Sequence, residues 1–599
     1  MKINKTKKVK IGCASGFWGD TSTAAKQLVD DNNIDYLIFD FLSEVTMSIL
    51  AGAKLKNANL GYATDFISQL KPLLYDINKK KIKIISNAGG INPESCRSIL
   101  LHEAKKIGLK INVAVVYGDN LMSDLEKLKS INFKEIDSGK KFPKNILSMN
   151  AYLGAPAIAT ALREGADIVI TGRCVDSAMA LGPLMHEFNW GYDDYDYLAG
   201  GSLAGHIIEC GAQCTGGNFT DWEKVTGFDN IGFPIVEVEW NGDFTLTKPK
   251  NTGGIVNFGT VAEQFLYEIG DPSRYILPDV ICDFSKVKIT EIGKNLVHVK
   301  NAKGIPPTNF YKVSTTHMKG YNIIGKLVIG GQKAKKKGEI IAQAILKKTS
   351  KILEEKKYEP FTETNYDLIG TNSIYGSDNI KADSKEILLR IMVKHNSKDA
   401  LVLFSKEIAQ AVTGMTAGVM NYLGGRPRVS KSIHLYSYLI DKNLLSISVN
   451  LNNKKYIVAV NPHGEVPKKP KGNRKIIIIN KKILDTTIPL FKIAYARSGD
   501  KGDHANIGVI AREKEYLPYI QNALTSKKVS SYFSHFMKGD LKIWDVPGIS
   551  GINFLLKNSL GGGGMASFNI DPQGKSYAQQ LLEVEIPIPS SLKDKIKYE

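Results

Sequence analysis

Five short apolar runs, spaced by segments of helical character, dominate the first third of the chain and narrow its fold more than any other feature. Residues 9–14, 36–41, 82–86, 111–116 and 168–171 read as strands. Between them residues 21–30, 45–54 and 155–164 read as helices. Asn92-Pro93 reads as a further helix start, with Asn92 as the cap and Pro93 in the first turn. Such apolar strands alternating with helices predict a mainly parallel sheet covered on both faces. In such sheets ligands bind beyond the carboxyl ends of the strands.

Those ends carry chemistry. The first run ends in Ser15-Gly16-Phe17-Trp18-Gly19-Asp20, the second in Asp40 with Glu44 a turn later. The third ends in Asn87-Ala88-Gly89-Gly90, and the run near Val169 ends in Gly172-Arg173-Cys174-Val175-Asp176. Four loops that can converge on one edge point to a site. None matches a dinucleotide or P-loop pattern, so no nucleotide fold is called from motifs. Further on, His206, Glu209 and Cys210 fall within five residues, a spacing that could supply a base and a nucleophile. Apolar Ile207, Ile208 and Ala212 flank Cys210, so its thiol is expected to be buried and structural.

Near the end lies Ala496-Arg497-Ser498-Gly499-Asp500-Lys501-Gly502-Asp503-His504-Ala505-Asn506-Ile507-Gly508. It reads as a loop too long and too charged for a minimal hairpin turn. Its glycines and cations suit an anionic ligand, and a solvated polar loop is the ordinary alternative. A second glycine run, Gly561 to Gly564, is costly to order and implies close backbone contact or a lid.

At 599 residues the chain holds several domains. The net charge of +19 comes from lysines scattered in short runs, with no basic face interleaved with aromatics, so nucleic-acid binding is not expected. Six cysteines without a metal-like quartet fit a reducing, cytoplasmic setting. The N-terminus reads as strand and loop instead of a signal peptide, and no apolar run is long enough for a membrane span. The lysine- and proline-rich stretch 467–471, with Gly472 and Asn473, is the best boundary between domains.

The quoted motifs resemble the acyclic terpene utilisation A (AtuA-like) family. Gly16 to Asp20, Asn87 to Gly90, Gly172 to Ala178 and Gly205 to Gln213 look like its large N-terminal domain. Ala496 to Gly508 and Ser559 to Gly564 look like its small C-terminal domain of ferredoxin-like shape. The resemblance implies an α/β domain over 1–330, an α+β continuation over 331–472 and a ferredoxin-like α/β sandwich over 487–599. In the last, strands are expected at 491–494, 507–511 and 582–586, with helices at 517–523 and 529–536. The family is associated with catabolism of branched terpenoid acids as coenzyme A thioesters, so coenzyme A would enter as part of the substrate. A homo-oligomer is expected.

The first functional reading is therefore an enzyme acting on a branched acyl-CoA or related carboxylate by hydration, lyase or thioester chemistry. Its acid/base candidates are Asp20, Asp40, Glu44, Asp176, Glu209, Asp503 and His504. Its binding candidates are Gly16, Trp18, Asn87, Gly89, Gly90, Arg173, Arg497, Ser498, Lys501 and Gly562. A second reading is a non-catalytic scaffold subunit partnering an acyl-CoA carboxylase. A third is a metal-dependent hydrolase using Asp20, Asp40, His206 or Asp503, although no metal set stands out from spacing.

Overall fold

The computed structural model describes residues 6–31, 33–376, 384–460, 477–480 and 483–596. The proposed boundary at 467–473 lies outside them. Five strands form a parallel core: β1 (Lys8–Cys13), β2 (Tyr36–Phe39), β3 (Lys83–Ser86), β4 (Val113–Tyr117) and β5 (Ile168–Ile170). Their order is β1-β2-β3-β5-β4, with every neighbouring pair parallel. Alternation along each strand feeds two cores. Tyr36 and Ile38 face one, with Ile158, Leu184 and Leu203 from three helices. Leu37 and Phe39 face the other, with Leu28, Phe66 and Leu100.

The expectation of a mainly parallel sheet needs correction. Among the described residues the sheet has 11 strands. Antiparallel strands extend it from β1 through Ile235–Glu239, Phe244–Thr247, Leu296–Lys300 and Lys288–Gly293. On the far side Ser448–Leu451 and Lys454–Ile457 continue antiparallel from β4. Parallel neighbours need long crossovers, whereas hairpins add antiparallel strands through short turns. The apolar runs marked only the buried parallel centre.

A second, wholly antiparallel sheet is built on β6 (Phe310–Gly330), which pairs with Ile146–Ala151, Glu386–His395, Val419–Tyr422 and Ser430–Asp441. The helices Ala334–Glu355 and Lys398–Glu407 pack on part of it.

The small C-terminal domain carries a four-stranded antiparallel sheet with its own core. Here the charged motif forms a hairpin. β7 (Ala494–Lys501) and β8 (His504–Ala511) pair over their whole length and are joined by Gly502 and Asp503 alone. Gly502 has φ +67, which the first central position of a two-residue II′ turn demands. The charged residues thus lie in paired strand instead of a long loop. Residues 490–492 form a turn before β7, so the strand begins three residues later than expected at 491. The helix Leu517–Ala523 falls where expected. Asn92 precedes the helix Pro93–Lys106 but does not cap it with its side chain. It donates instead to the carbonyls of Ala58 and Leu60, both at 2.8 Å.

Candidate active site between the two domains

The C-terminal ends of the parallel strands lie on one edge, and a cavity of about 340 Å³ opens there. Several strands, helices and loops of the large domain and the β7–β8 hairpin of the small one contribute to it. Glu44 begins the helix Glu44–Lys56, fixed by a capping box between Ser43 and Thr46. A carboxylate in the first turn also suits the positive end of the helix dipole. Its carboxylate accepts from the Tyr152 hydroxyl and lies 3.6 Å from the Lys312 ammonium of β6. Burial opposes its charge, but Lys312 and Arg173 outweigh that and hold its pKa at about 2.

Arg173 follows β5 and is 3% exposed. Gly172 makes its placement possible, since a side chain there would meet the Asp119 carboxylate at 2.4 Å. That carboxylate accepts the Arg173 backbone N–H at 2.8 Å. The guanidinium donates to the Cys174 carbonyl at 3.1 Å and to Asp176 at 2.5 Å, and stacks 4.3 Å from the centre of the Tyr152 ring. Among the described residues its Nε has no hydrogen-bond partner.

The helix Tyr195–Ile208 delivers His206 and, at its end, Glu209. His206 Nδ1 lies 3.2 Å from Glu209 Oε1. Burial pushes the Glu209 carboxyl well above the usual range, and the Asp176 charge adds to this. Burial likewise lowers His206 to about 4. Glu268 lies just beyond the helix Phe258–Leu266, and burial with the Asp500 charge raises it to about 7. The cavity therefore holds carboxyls poised as acids beside Glu44, which stays ionised.

The small domain closes one side with Asp500, Lys501 and Gly502. Lys501 Nζ lies 5.2 Å from the centre of the Tyr275 ring, and burial lowers its pKa. Buried amides hold the two domains together here. Asn506 accepts the Glu268 N–H at 2.8 Å and donates to the Leu266 carbonyl at 2.6 Å, while Asn553 donates to the Ile269 carbonyl at 2.7 Å. The motif glycines Gly499 and Gly508 bring backbone against Tyr267 and Leu266 of the large domain.

Five residues, Glu44, Ile136, Lys312, Lys501 and Gly502, also line an adjoining cleft of about 540 Å³. Its walls add Lys140, Lys141, Lys319, His317 and His434. Asp503, His504 and Gly562 belong to this cleft. His504 Nδ1 accepts the Asn558 N–H at 3.0 Å and its Nε2 faces Asp137 at 3.5 Å. Asp503 accepts the Gly562 N–H at 2.6 Å. Gly561 to Gly564 all have positive φ and wrap the hairpin turn.

The structure thus brings together Glu44, Arg173, Asp176, Glu209 and Lys501 in the cavity. Asp40 lies below it, 5% exposed and accepting from Asn87 at 2.6 Å. Burial first and the Asp176 charge second push its pKa well up. Asp20 is bound to the Gly16 N–H at 2.9 Å, and Trp18 packs beside Leu42, Met47 and Leu50. Gly16, Gly89 and Gly90 meet backbone or side chains of neighbouring segments, outside the cavity lining. Arg497 anchors the domain interface, donating to Gln213, Gly217 and Gln264 and pairing with Glu263 at 3.2 Å. Ser498 donates to the Gly574 carbonyl at 2.6 Å. Among the described residues no three His, Cys, Asp or Glu side chains converge as a metal site would require.

Sequence motifs did not point to Tyr152, Glu268, Tyr275 or Lys312 as cavity residues, and Asp500, inside the charged motif, was not among the candidates drawn from it. Lys312 sits inside a strand, eight residues from the nearest glycine on either side. Glu268 had a usable signal in Tyr267-Glu268-Ile269-Gly270-Asp271-Pro272, an acidic helix end beside Gly and Pro.

A two-domain α/β architecture with an acid-lined cavity at the domain seam is what the fold defines. The chain matches the family model described as acyclic terpene utilisation family protein AtuA over residues 9–451, and the AtuA ferredoxin-like domain over 488–587. It belongs to the AtuA family. No curated protein and no solved structure matches it. No helix among the described residues is long and apolar enough to cross a membrane.

Proposed function

We propose that this chain is an enzyme of acyclic terpene utilisation that adds water to, or removes it from, a branched acyl-CoA. The reading rests chiefly on one observation: a cavity lined by acid-poised carboxyls opens, past Lys312 and Lys501, into a cleft rich in lysines and histidines. The phosphates of coenzyme A suit the cleft, where Lys140, Lys141 and Lys319 supply charge. The thioester then lies at the junction, its oxygen facing the Lys501 and Lys312 ammonium groups.

In the hydration direction a cavity carboxylate takes a proton from water as the water oxygen bonds to the β-carbon. The displaced electron pair moves onto the thioester oxygen as an enolate held by the lysines. A carboxylic acid, Glu209 or Glu268, then returns a proton to the α-carbon. Dehydration is the reverse.

The test is incubation of the purified chain with α,β-unsaturated and β-hydroxy branched acyl-CoA thioesters, followed by mass spectrometry. The expected result is gain or loss of one water. Thioester cleavage would redirect the chemistry within the same site. Absence of both turnover and binding, with an acyl-CoA carboxylase captured on the chain instead, would favour the scaffold reading.

A further inference from the structure

One wall of the cavity differs from the rest. Ile276, Leu277, Phe310 and Leu439 line it, with Ile136 shared with the lysine cleft. Large apolar side chains are normally withdrawn from water, yet Ile276 is 55% exposed and Phe310 and Leu439 are each 44% exposed. The register explains how the strands present them. Lys312 pairs with Leu439 and Tyr311 with Ile440, so alternation places Phe310, Lys312 and Leu439 on one face. Tyr311 and Ile440 point the other way into the core, at 5% and 1% exposure. The apolar surface left open is therefore continuous with the site, and Lys312 belongs to both.

We infer that Ile276, Phe310 and Leu439 form the surface that selects the apolar chain of the substrate, with the polar head directed toward Lys312 and Lys501. This deepens the acyl-CoA reading and rests on it for the identity of the head group. The wall itself requires only a chain with a carboxylate or thioester at one end.

The experiment is calorimetric titration of the full chain with free 3-methyl-branched carboxylic acids of increasing length, which needs no turnover. Affinity is expected to rise roughly two- to four-fold per added methylene until the cavity is filled. In Phe310→Ser and Leu439→Ser that length dependence should shrink to less than half, while the shortest acid binds as in the parent chain. Leu296→Ser, on an exposed strand of the large sheet away from the cavity lining, is the control and should change nothing. Both wall positions are partly exposed, so melting temperatures should stay close to the parent and report intact folding. Length-independent binding in the parent chain would overturn the inference. So would a Leu439→Ser change that shifts the oligomeric state by light scattering and leaves length dependence intact, which would make the wall a contact between copies. If length dependence holds but no acyl-CoA is turned over, the wall stands and the hydration reading falls.

Discussion

Lys501 of the small domain reaches to 5.2 Å from the centre of the Tyr275 ring of the large domain, across the seam between them. The hairpin that carries it completes the cavity within the same chain. Lys501→Met keeps the length of the side chain and removes the charge. Binding of an acyl-CoA should weaken at least tenfold, with little change in melting temperature, because among the described residues the ammonium has no short ion pair to lose. Calorimetry and thermal unfolding measure the two effects separately.

Arg173 is placed by three contacts that depend on its planar fork: Cys174, Asp176 and the Tyr152 ring. Lysine keeps the charge but cannot reproduce that geometry. Arg173→Lys should cost about 1.5–3 kcal/mol of stability, the range for hydrogen bonds to a charged group. The value of kcat/KM should fall at least tenfold. Unchanged affinity and turnover in a folded variant would remove Arg173 from the site.

Glu268 makes the pH dependence explicit. Its folded pKa is raised to about 7 from an ordinary 4.5. Between these values the folded state holds a proton that the unfolded state has released. The stabilising contribution is therefore full below 4.5 and is lost as pH rises through 7. The melting temperature should decline between about pH 4.5 and 7 and level off above that, and Glu268→Gln should flatten the decline. If Glu268 supplies the proton, the alkaline limb of the rate profile near pH 7 should disappear in the same variant.

The Gly562 amide donates to the Asp503 carboxylate at the hairpin tip, and Gly562 has φ +97. Gly562→Ala imposes strain of about 1–2 kcal/mol on that clamp. Asp503→Asn leaves a neutral, weaker acceptor in its place. Both changes should raise KM several-fold by loosening the position of Lys501, and both should alter global stability less than Arg173→Lys does. Unchanged KM in both would show that the clamp does not position the site.

Cys210 is half-buried and not fully buried as expected, yet desolvation, with the Glu268 and Glu209 charges adding to it, pushes its thiol well up. It should react with iodoacetamide far more slowly than an unfolded thiol, and Cys210→Ala should retain turnover. Rapid, selective alkylation with loss of activity would make it a nucleophile.

The sequence exposed the parallel centre because those strands are buried on both faces and read as uninterrupted apolar runs. The flanking strands, such as Ile235–Glu239 with its Glu237 and Glu239, alternate with charge and leave a weaker mark. Glu44, Arg173, Asp176 and Glu209 were legible because each follows a strand or ends a helix beside small or polar punctuation. Lys312 and Tyr275 were not, because their role depends on which distant segment they face. The charged β7–β8 hairpin misled for a physical reason. Its Arg497 and Asn506 are polar yet buried and bonded to the other domain, and one domain's sequence gives no sign of that partner.

The most direct test is a crystal structure of the full chain with a non-hydrolysable branched acyl-CoA analogue. The expected result has the chain against Phe310 and Leu439, the carbonyl within hydrogen-bonding reach of Lys501 or Lys312, and the phosphates among Lys140, Lys141 and Lys319. An analogue bound elsewhere on the chain, leaving the seam between the domains empty, would contradict a shared active site.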